Sequence, residues 1–402
     1  MTSPDQPSIL VLNVGSSTLK FGFYPLVDGD EALLHGVLEY SGTTSGQLRI
    51  TDSSGQTVSS RLVVDRDSAV TKLLRHLKGR SLFTSIHAVG HRLVHGGSKL
   101  RKPVRINAGV RASLEEVVPL APDHLPAELR AIDEVARLAP SLAQIACFDT
   151  TFHNHLPAVA RLFGLPRELS DSGVVRYGFH GLSYEYVAET LRERGELQPR
   201  TVVAHLGNGA SVAALLNGIS IDTSMGMTPS GGVVMSTRSG DLDPGIILYL
   251  LRSRGFSPAQ LDDVTNRRGG LRGISDSSSD IRDLLASSPN DSKAEEAIAI
   301  FCYQASKFIG AYSAALGGID ALIFTGGIGA RSPAIRARVC EKLEFLGVVL
   351  EPELNLANAA TISPTSGGVR IQTLTTREEV MIARHVRKSL ANISGDDRYT
   401  RP

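Results

Sequence analysis

Apolar positions along the chain fall into two kinds of pattern. Short dense runs such as "SILVLNV", "SIHAVGHRLV", "AQIACFD", "TVVAHLG" and "ALIFTGG" predict strands buried on both faces, and they alternate with longer stretches of helical period. That alternation predicts an α/β protein. The stretch from Ser292 to Gly318 predicts one long helix, with Ala297, Ile300, Phe301, Gln304 and Phe308 near one face and Gly317 and Gly318 as its stop. A second helix is predicted to begin at Pro333, where Ser332 has the chemistry of a cap and proline suits the first turn.

One strand breaks its own pattern. In "ILVLNVGSSTLKFG", Ile9 to Gly22, the apolar run meets Asn13, Gly15, Ser16, Ser17 and Thr18 and resumes only after Lys20. A tight hairpin turn uses such residues, because Gly supplies positive φ and Asn and Ser bond their own backbone. A phosphate cradle uses them too, with backbone N–H groups facing an anion and a lysine adding charge. "TVVAHLGNGASVAALLNG", from Thr201, repeats the order of strand, small-residue turn and strand, which suggests a duplicated domain whose halves each present a turn to a shared cleft. "FTGGIGARS" supplies a third turn, between a strand and a helix. No GxxxxGK[ST] occurs, and "GNGASV" and "GGIGAR" lack the last glycine of GxGxxG, so the standard P-loop and dinucleotide-binding readings fail.

Composition narrows the classes. A length of 402 residues favours two domains. The net charge of +1 argues against nucleic acid or an acidic membrane as partner. The first residues, "MTSPDQPSILVLNVG", match neither a signal peptide nor a membrane span, so a cytoplasmic protein is expected. Cys147, Cys302 and Cys340 are far apart without CxxC spacing and are expected to be buried small hydrophobes. "HNH" at 153 to 155 lacks the clustered partners of a zinc site, and the final "SGDDRYTRP" is expected to fray.

Two turns for phosphates and one for a nucleoside is the arrangement of the actin-like ATPase superfamily. Within it, "GHRLVHGG", "FDTTFH", "RYGFHG", "HLGNG", "DTSMGMTP", "TRSGDLDPG", "FTGGIGARS" and "REEVMIAR" are collinear across nearly the full length and resemble the signatures of the acetate kinase family. The opening turn is similar to that family's "NAGSSSLK", with Val14 and Thr18 in place of Ala and Ser. The resemblance implies two duplicated actin-like (ribonuclease H-like) α/β domains, 1–149 plus 383–402 and 150–382. The implied activity is reversible in-line phosphoryl transfer from ATP to acetate with Mg²⁺, for which Mn²⁺ can substitute, in a homodimer. A propionate or butyrate kinase would use the same residues. A non-catalytic actin-like nucleotide binder would have no need of Arg92, Asp149 and Arg238 together, and all three are present.

The resemblance also assigns residues. His180 and Arg238 would stabilise the transferring group, which needs positive charge around its three equatorial oxygens. Arg92 would hold the substrate carboxylate or the acyl phosphate, with Val94, Asp123, His124, Phe179 and Pro229 around the acyl methyl group. The family gives Asp149 an acid or base role, but a carboxylic acid substrate is already ionised at neutral pH. An organiser of Mg²⁺ and of the line of attack suits Asp149 better. Glu378 would be the magnesium carboxylate, with Asn13 as a second ligand. Thr376 as N-cap would put Glu379 in a capping box and leave Glu378 free, and Thr375 as cap would exchange the two. ATP would meet Ser16, Thr18, Lys20, the turn His205, Leu206, Gly207, Asn208 and Gly209, then Asp280, Ile281 and Arg282, and the turn Gly327, Ile328, Gly329, Ala330 and Arg331. This chain departs from its relatives at Ala330 and Arg331, which replace Glu and Asn of "GIGEN", and at Asp123, which replaces a leucine of the methyl pocket.

Overall fold

Buried apolar runs become the central strands of two sheets, one in each of two compact units: Met1–Thr151 with Arg377–Pro402, and Phe152–Thr376. The structure, a computed structural model, describes residues 6–15, 18–40, 46–62, 68–79, 82–366 and 368–394. Ser16 and nearly all of the tail expected to fray lie outside the described residues.

The first unit contains β1 (Ser8–Val14), β2 (Thr18–Pro25), β3 (Leu34–Tyr40), β4 (Gly46–Asp52), β5 (Thr57–Leu62), β6 (Ile86–Leu93), β7 (Val104–Arg105) and β8 (Ala143–Phe148). They form one sheet in the order β5-β4-β3-β2-β1-β6-β8-β7. β1 to β5 are an antiparallel meander, β1, β6 and β8 run parallel, and β7 pairs antiparallel at the edge. The second unit contains β9 (Arg200–Leu206), β10 (Ala210–Leu216), β11 (Ile219–Thr223), β12 (Ala321–Thr325) and β13 (Arg370–Thr373), in the order β11-β10-β9-β12-β13. Here β9, β10 and β11 are antiparallel, and β9, β12 and β13 are parallel. Set β4, β5 and β7 aside and the two sheets are one pattern used twice, the duplicated α/β arrangement that the two hairpins suggested.

Parallel strands buried on both faces need a helical layer on each side. In the first unit Ala127, Ala131 and Val135, one stripe of the helix Leu125–Leu138, join Leu73 and Leu77 against Leu10, Leu12 and Val89. The helix Glu378–Ser394 packs on β1 and β6. It lies so close that a Cβ on Gly90 would meet Ile382 Cγ2 at 2.5 Å and Val386 Cγ2 at 2.8 Å, so only glycine fits at this point of β6. The whole helix thus belongs to the first unit, which resumes at Arg377 instead of residue 383.

In the second unit the predicted long helix spans Ser292–Ala315 and ends with Gly318 N–H donating to Ser313 O at 2.8 Å. Its buried face is rotated from the expected one: Ala297 and Phe301 are buried, but Ala294, Ile298, Ala305 and Ile309 complete the stripe. Ile300, Gln304 and Phe308 are half-buried, and Gln304 Oε1 accepts from Val234 N–H at 2.9 Å. The helix Pro333–Glu341 starts with its proline as expected, although Ser332 makes no side-chain cap bond. Cys147, Cys302 and Cys340 are free and buried.

Two buried histidines give the fold a pH dependence. His91 Nε2 donates to Gln144 Oε1 at 2.8 Å, while His153 bonds Ser220 Oγ at 2.7 Å and Phe179 O at 3.0 Å. Burial pushes each imidazole down to about 4. The unfolded chain takes up these protons first, so the stabilisation is complete above about 6.5 and is lost as pH falls towards 4. The thermal midpoint should drop across that window, less steeply in His153→Gln. An equal slope in the variant would mean that His153 is not buried neutral.

Candidate active site

Chain ends of parallel strands gather the chemistry of the first unit. Asn13 lies near the end of β1, Arg92 near the end of β6 and Asp149 directly after β8, so three neighbouring strands deliver their polar residues to one edge of the sheet. Arg92 joins them. Its Nε and Nη2 donate to the two carboxylate oxygens of Asp149 at 3.1 and 2.6 Å, and Nη1 donates to Asn13 Oδ1 at 3.1 Å. Glu378, first residue of the last helix, puts Oε2 at 3.6 Å from Arg92 Nε. Asp149 is 1% exposed, against 20% for Arg92 and 18% for Glu378.

Burial pushes the Asp149 carboxyl above its usual range against the pull of Arg92, and the Glu378 carboxylate adds to the push. Burial opposes the charge on Arg92, but Asp149 and Glu378 together hold its guanidinium well above its ordinary value. Two carboxylates and an amide oxygen thus share one arginine. These are hard oxygen donors with a net charge of minus one, a set that fits Mg²⁺ bound by a few protein oxygens and substrate phosphates.

The second unit presents donors. The β9–β10 hairpin pairs Leu206 with Ala210 and His205 with Ser211, and Gly207 N–H closes its own turn on Gly209 O at 3.0 Å. At the first hairpin Gly15 N–H likewise bonds Thr18 O at 2.7 Å. These two amides are therefore used within their own hairpins. His180 precedes the helix Gly181–Glu193 in a left-handed conformation, φ 58°, which aims its ring at the second turn. Its ring stacks on His205 with centroids 4.3 Å apart, and its Nδ1 lies 2.8 Å from Ser211 Oγ. A Cβ on Gly209 would lie 3.0 Å from His180 Nε2 and 3.6 Å from Arg238 Nη1, so both donors converge on this glycine. Arg238 is braced by Pro229 O at 3.0 Å. The third turn is the short helix Gly326–Gly329 after β12. Gly326, φ +77°, sits where a Cβ would be 2.5 Å from Leu206 O, which presses this turn against the end of β9.

Other expected residues are placed less directly. Thr18 opens β2, and exposed Lys20 pairs across the hairpin with Asn13. Lys20 lines an open groove of about 620 Å³ together with Tyr24, His35, Arg377 and Glu379. Asp280 caps the helix Ile281–Ser287 through Arg282 N–H at 2.9 Å and also pairs with the Arg282 guanidinium, while Ile281 is buried. Ala330 is buried and Arg331 exposed. Val94 is buried, and Asp123 and His124 form the partly exposed turn before Leu125. Phe179 and Pro229 are buried in the second unit. The helix starts at Glu378, so Arg377 precedes it and both Thr375 and Thr376 lie further back; the Thr376 hydroxyl accepts from Ser183 Oγ at 3.2 Å, and Glu379 lines the groove.

The acetokinase family profile matches residues 8–384. The chain belongs to the acetokinase family. An acetate kinase of Rhodopseudomonas palustris (strain TIE-1) is 43% identical over 389 residues, covering 94% of this chain and 97% of that protein. Crystal structures agree: a propionate kinase from Francisella tularensis superposes with a TM-score of 0.88 at 34% identity, over 94% of this chain and 99% of its own. An acetate kinase from Porphyromonas gingivalis superposes at 0.85 and 37% identity, over 96% of this chain and 100% of its own. Membership makes the protein a phosphotransferase that uses ATP and a carboxyl acceptor.

Residues outside the family signatures support the acetokinase site. Buried Glu128 accepts from Val94 N–H at 3.0 Å. Fully buried Arg336 donates to Gly329 O at 2.9 Å and to Asn355 and Asn358, tying down the third turn with neutral oxygens only. A charged residue inside an apolar helical stripe was the available signal for each.

Proposed function

We propose that this protein is an acetate kinase that forms acetyl phosphate and ADP from acetate and ATP, reversibly and by direct in-line transfer. The observation that carries this reading is the Asn13, Arg92, Asp149 and Glu378 cluster, where one guanidinium is shared by two carboxylates. A substrate carboxylate takes its place on Arg92, whose planar fork suits bidentate recognition. His180 and Arg238 offer donors to the transferring phosphoryl group. Glu378, Asn13 and Asp149 would hold Mg²⁺, or Mn²⁺ in its stead, which would supply positive charge against the phosphates. Asp149 removes no proton from the nucleophile and instead holds Arg92 in place.

The nucleotide is assigned to the turns at His205–Gly209 and Gly327–Arg331 in the second unit, and to Thr18 and Lys20 in the first. Arg331 is exposed and leaves the contacts there to backbone. Asp280 serves first as a helix cap. The helix Pro244–Ser253 supports the homodimer: Ile246, Leu248, Tyr249 and Leu251 are between 36% and 53% exposed, a row of apolar side chains suited to a second copy. No helix among the described residues is long and apolar enough to cross a membrane.

Asp123 makes acyl length the sharpest test. It replaces an apolar wall with a partly exposed carboxylate and leaves room, so propionate should be accepted more readily than in a relative with leucine. Acyl phosphate formation from acetate, propionate and butyrate measures this. Asp123→Leu should lower the KM for acetate and shift preference towards acetate by about 1 kcal/mol, roughly fivefold. Unchanged KM values would remove Asp123 from the pocket, and a butyrate optimum would favour the longer-chain reading.

A further inference from the structure

His180 touches a chain of hydroxyls that no family signature includes. Tyr184, one turn along the helix Gly181–Glu193, is fully buried, and its hydroxyl lies 2.5 Å from Ser211 Oγ on β10. Ser211 is fully buried too, and its Oγ is 2.8 Å from His180 Nδ1. Were Tyr184 and Nδ1–H both to donate to Ser211, the buried serine proton would have no partner in this line of three polar atoms, which leaves two arrangements to weigh. In one, Tyr184 donates to Ser211, Ser211 donates to Nδ1, and the imidazole proton sits on Nε2. In the other, Nδ1–H donates to Ser211, Ser211 donates to Tyr184, and the tyrosine proton has no acceptor.

Among the described residues Ser211 is the hydrogen-bond partner of the Tyr184 hydroxyl, so the second arrangement strands a donor in the core. A buried donor without a partner costs more than a typical hydrogen bond gains. Protonating both ring nitrogens has the same defect, and the groups facing His180 oppose it: the His205 ring stacks on it and Arg238 Nη1 approaches Gly209 from the same side.

We propose that Tyr184 and Ser211 are positioning residues that hold His180 as the neutral imidazole with its proton on Nε2. The nitrogen nearest Gly209 is then always a donor, and charge at the transferring group comes from Arg238. This rests on the reading of His180 as a contact of the phosphoryl group, but the tautomer is measurable without activity.

Nitrogen-15 NMR of the full-length protein at neutral pH, with His180 assigned by its loss in His180→Gln, should show Nε2 protonated and Nδ1 bare. Ser211→Ala takes away the donor to Nδ1, so the Nδ1–H form should appear beside the other, whereas Tyr184→Phe leaves Ser211 its one partner and should keep the proton on Nε2. Turnover in Ser211→Ala should fall about five- to tenfold, the value of one hydrogen bond, with KM for ATP unchanged. In His180→Gln the same Ser211→Ala change should cost nothing further. If Ser211→Ala fails to fold with the Tyr184 hydroxyl left unpartnered, its combination with Tyr184→Phe reads the same tautomer. An Nδ1–H imidazole in the unmodified protein, or an equal loss of turnover from Ser211→Ala in the His180→Gln background, overturns the proposal. Full activity of His180→Gln with the expected spectrum would instead overturn the phosphoryl contact alone.

Discussion

Arg238→Ala should lower kcat at least about a hundredfold, on the order of 3 kcal/mol, with ATP affinity nearly unchanged. The reasoning is one of timing. Negative charge on the equatorial oxygens is arranged differently in the transition state and in bound ATP, so a guanidinium aimed at the transferring group acts mainly on kcat. Arg238 has the required setting: Pro229 O and its own backbone, through Met235 N–H to Arg238 O at 3.0 Å, fix it in a tight loop, and its Nη1 approaches Gly209 beside His180 Nε2. Arg238→Lys keeps the charge and loses the fork, and should recover part of the rate. A near-normal kcat in Arg238→Ala would remove this residue from the reaction.

The second large effect is expected at Arg92. Arg92→Ala takes away the acceptor site and leaves the buried Asp149 carboxylate facing Glu378 without a cation. Turnover should fall below detection, and stability should fall by about 3 kcal/mol, the range seen when one partner of a buried pair is removed. The sign of the pH dependence separates this from simple cavity formation. Without Arg92 the folded state binds a proton at Asp149 more tightly than the unfolded chain does, because burial and Glu378 already push that carboxyl upward. The stability gap to the parent protein should therefore narrow as pH is lowered through that raised value and widen again above it. Thermal midpoints of both proteins between pH 5 and 8 measure it, and a gap independent of pH would show that Asp149 is not the group left uncompensated.

Parts of this architecture were legible because they are local. A run such as "SILVLNV" can hardly be anything but a strand covered on both faces, and a Gly-rich break followed by a second apolar run fixes a hairpin. Doubling that pattern was enough to suggest two sheets, although the five-strand order they share became visible only once β6, β8, β12 and β13 were placed beside β1 and β9. The long helix was found and its burial stripe was not, because the neighbours that select one face of an apolar helix come from elsewhere in the chain. Arg92, Asp149 and Glu378 were recognised through family signatures. Their mutual geometry depends on strand register and on where the last helix docks.

What sequence did not offer were partners distant along the chain. Ser211 and His180 are 31 positions apart, and Ser183 reaches Thr376 across 193. Asp280 shows the converse. Named from the resemblance only as an ATP contact, it caps its own helix through Arg282 N–H, two residues on.

Product stoichiometry with ATP, Mg²⁺ and acetate shows whether the terminal phosphoryl group of ATP ends on a carboxylate, with ADP followed optically and acyl phosphate trapped by hydroxylamine in the same reaction. One acetyl phosphate for each ADP is expected, with both lost together in Arg238→Ala. ADP formed without acyl phosphate would make the protein an ATP hydrolase and not a carboxylate kinase.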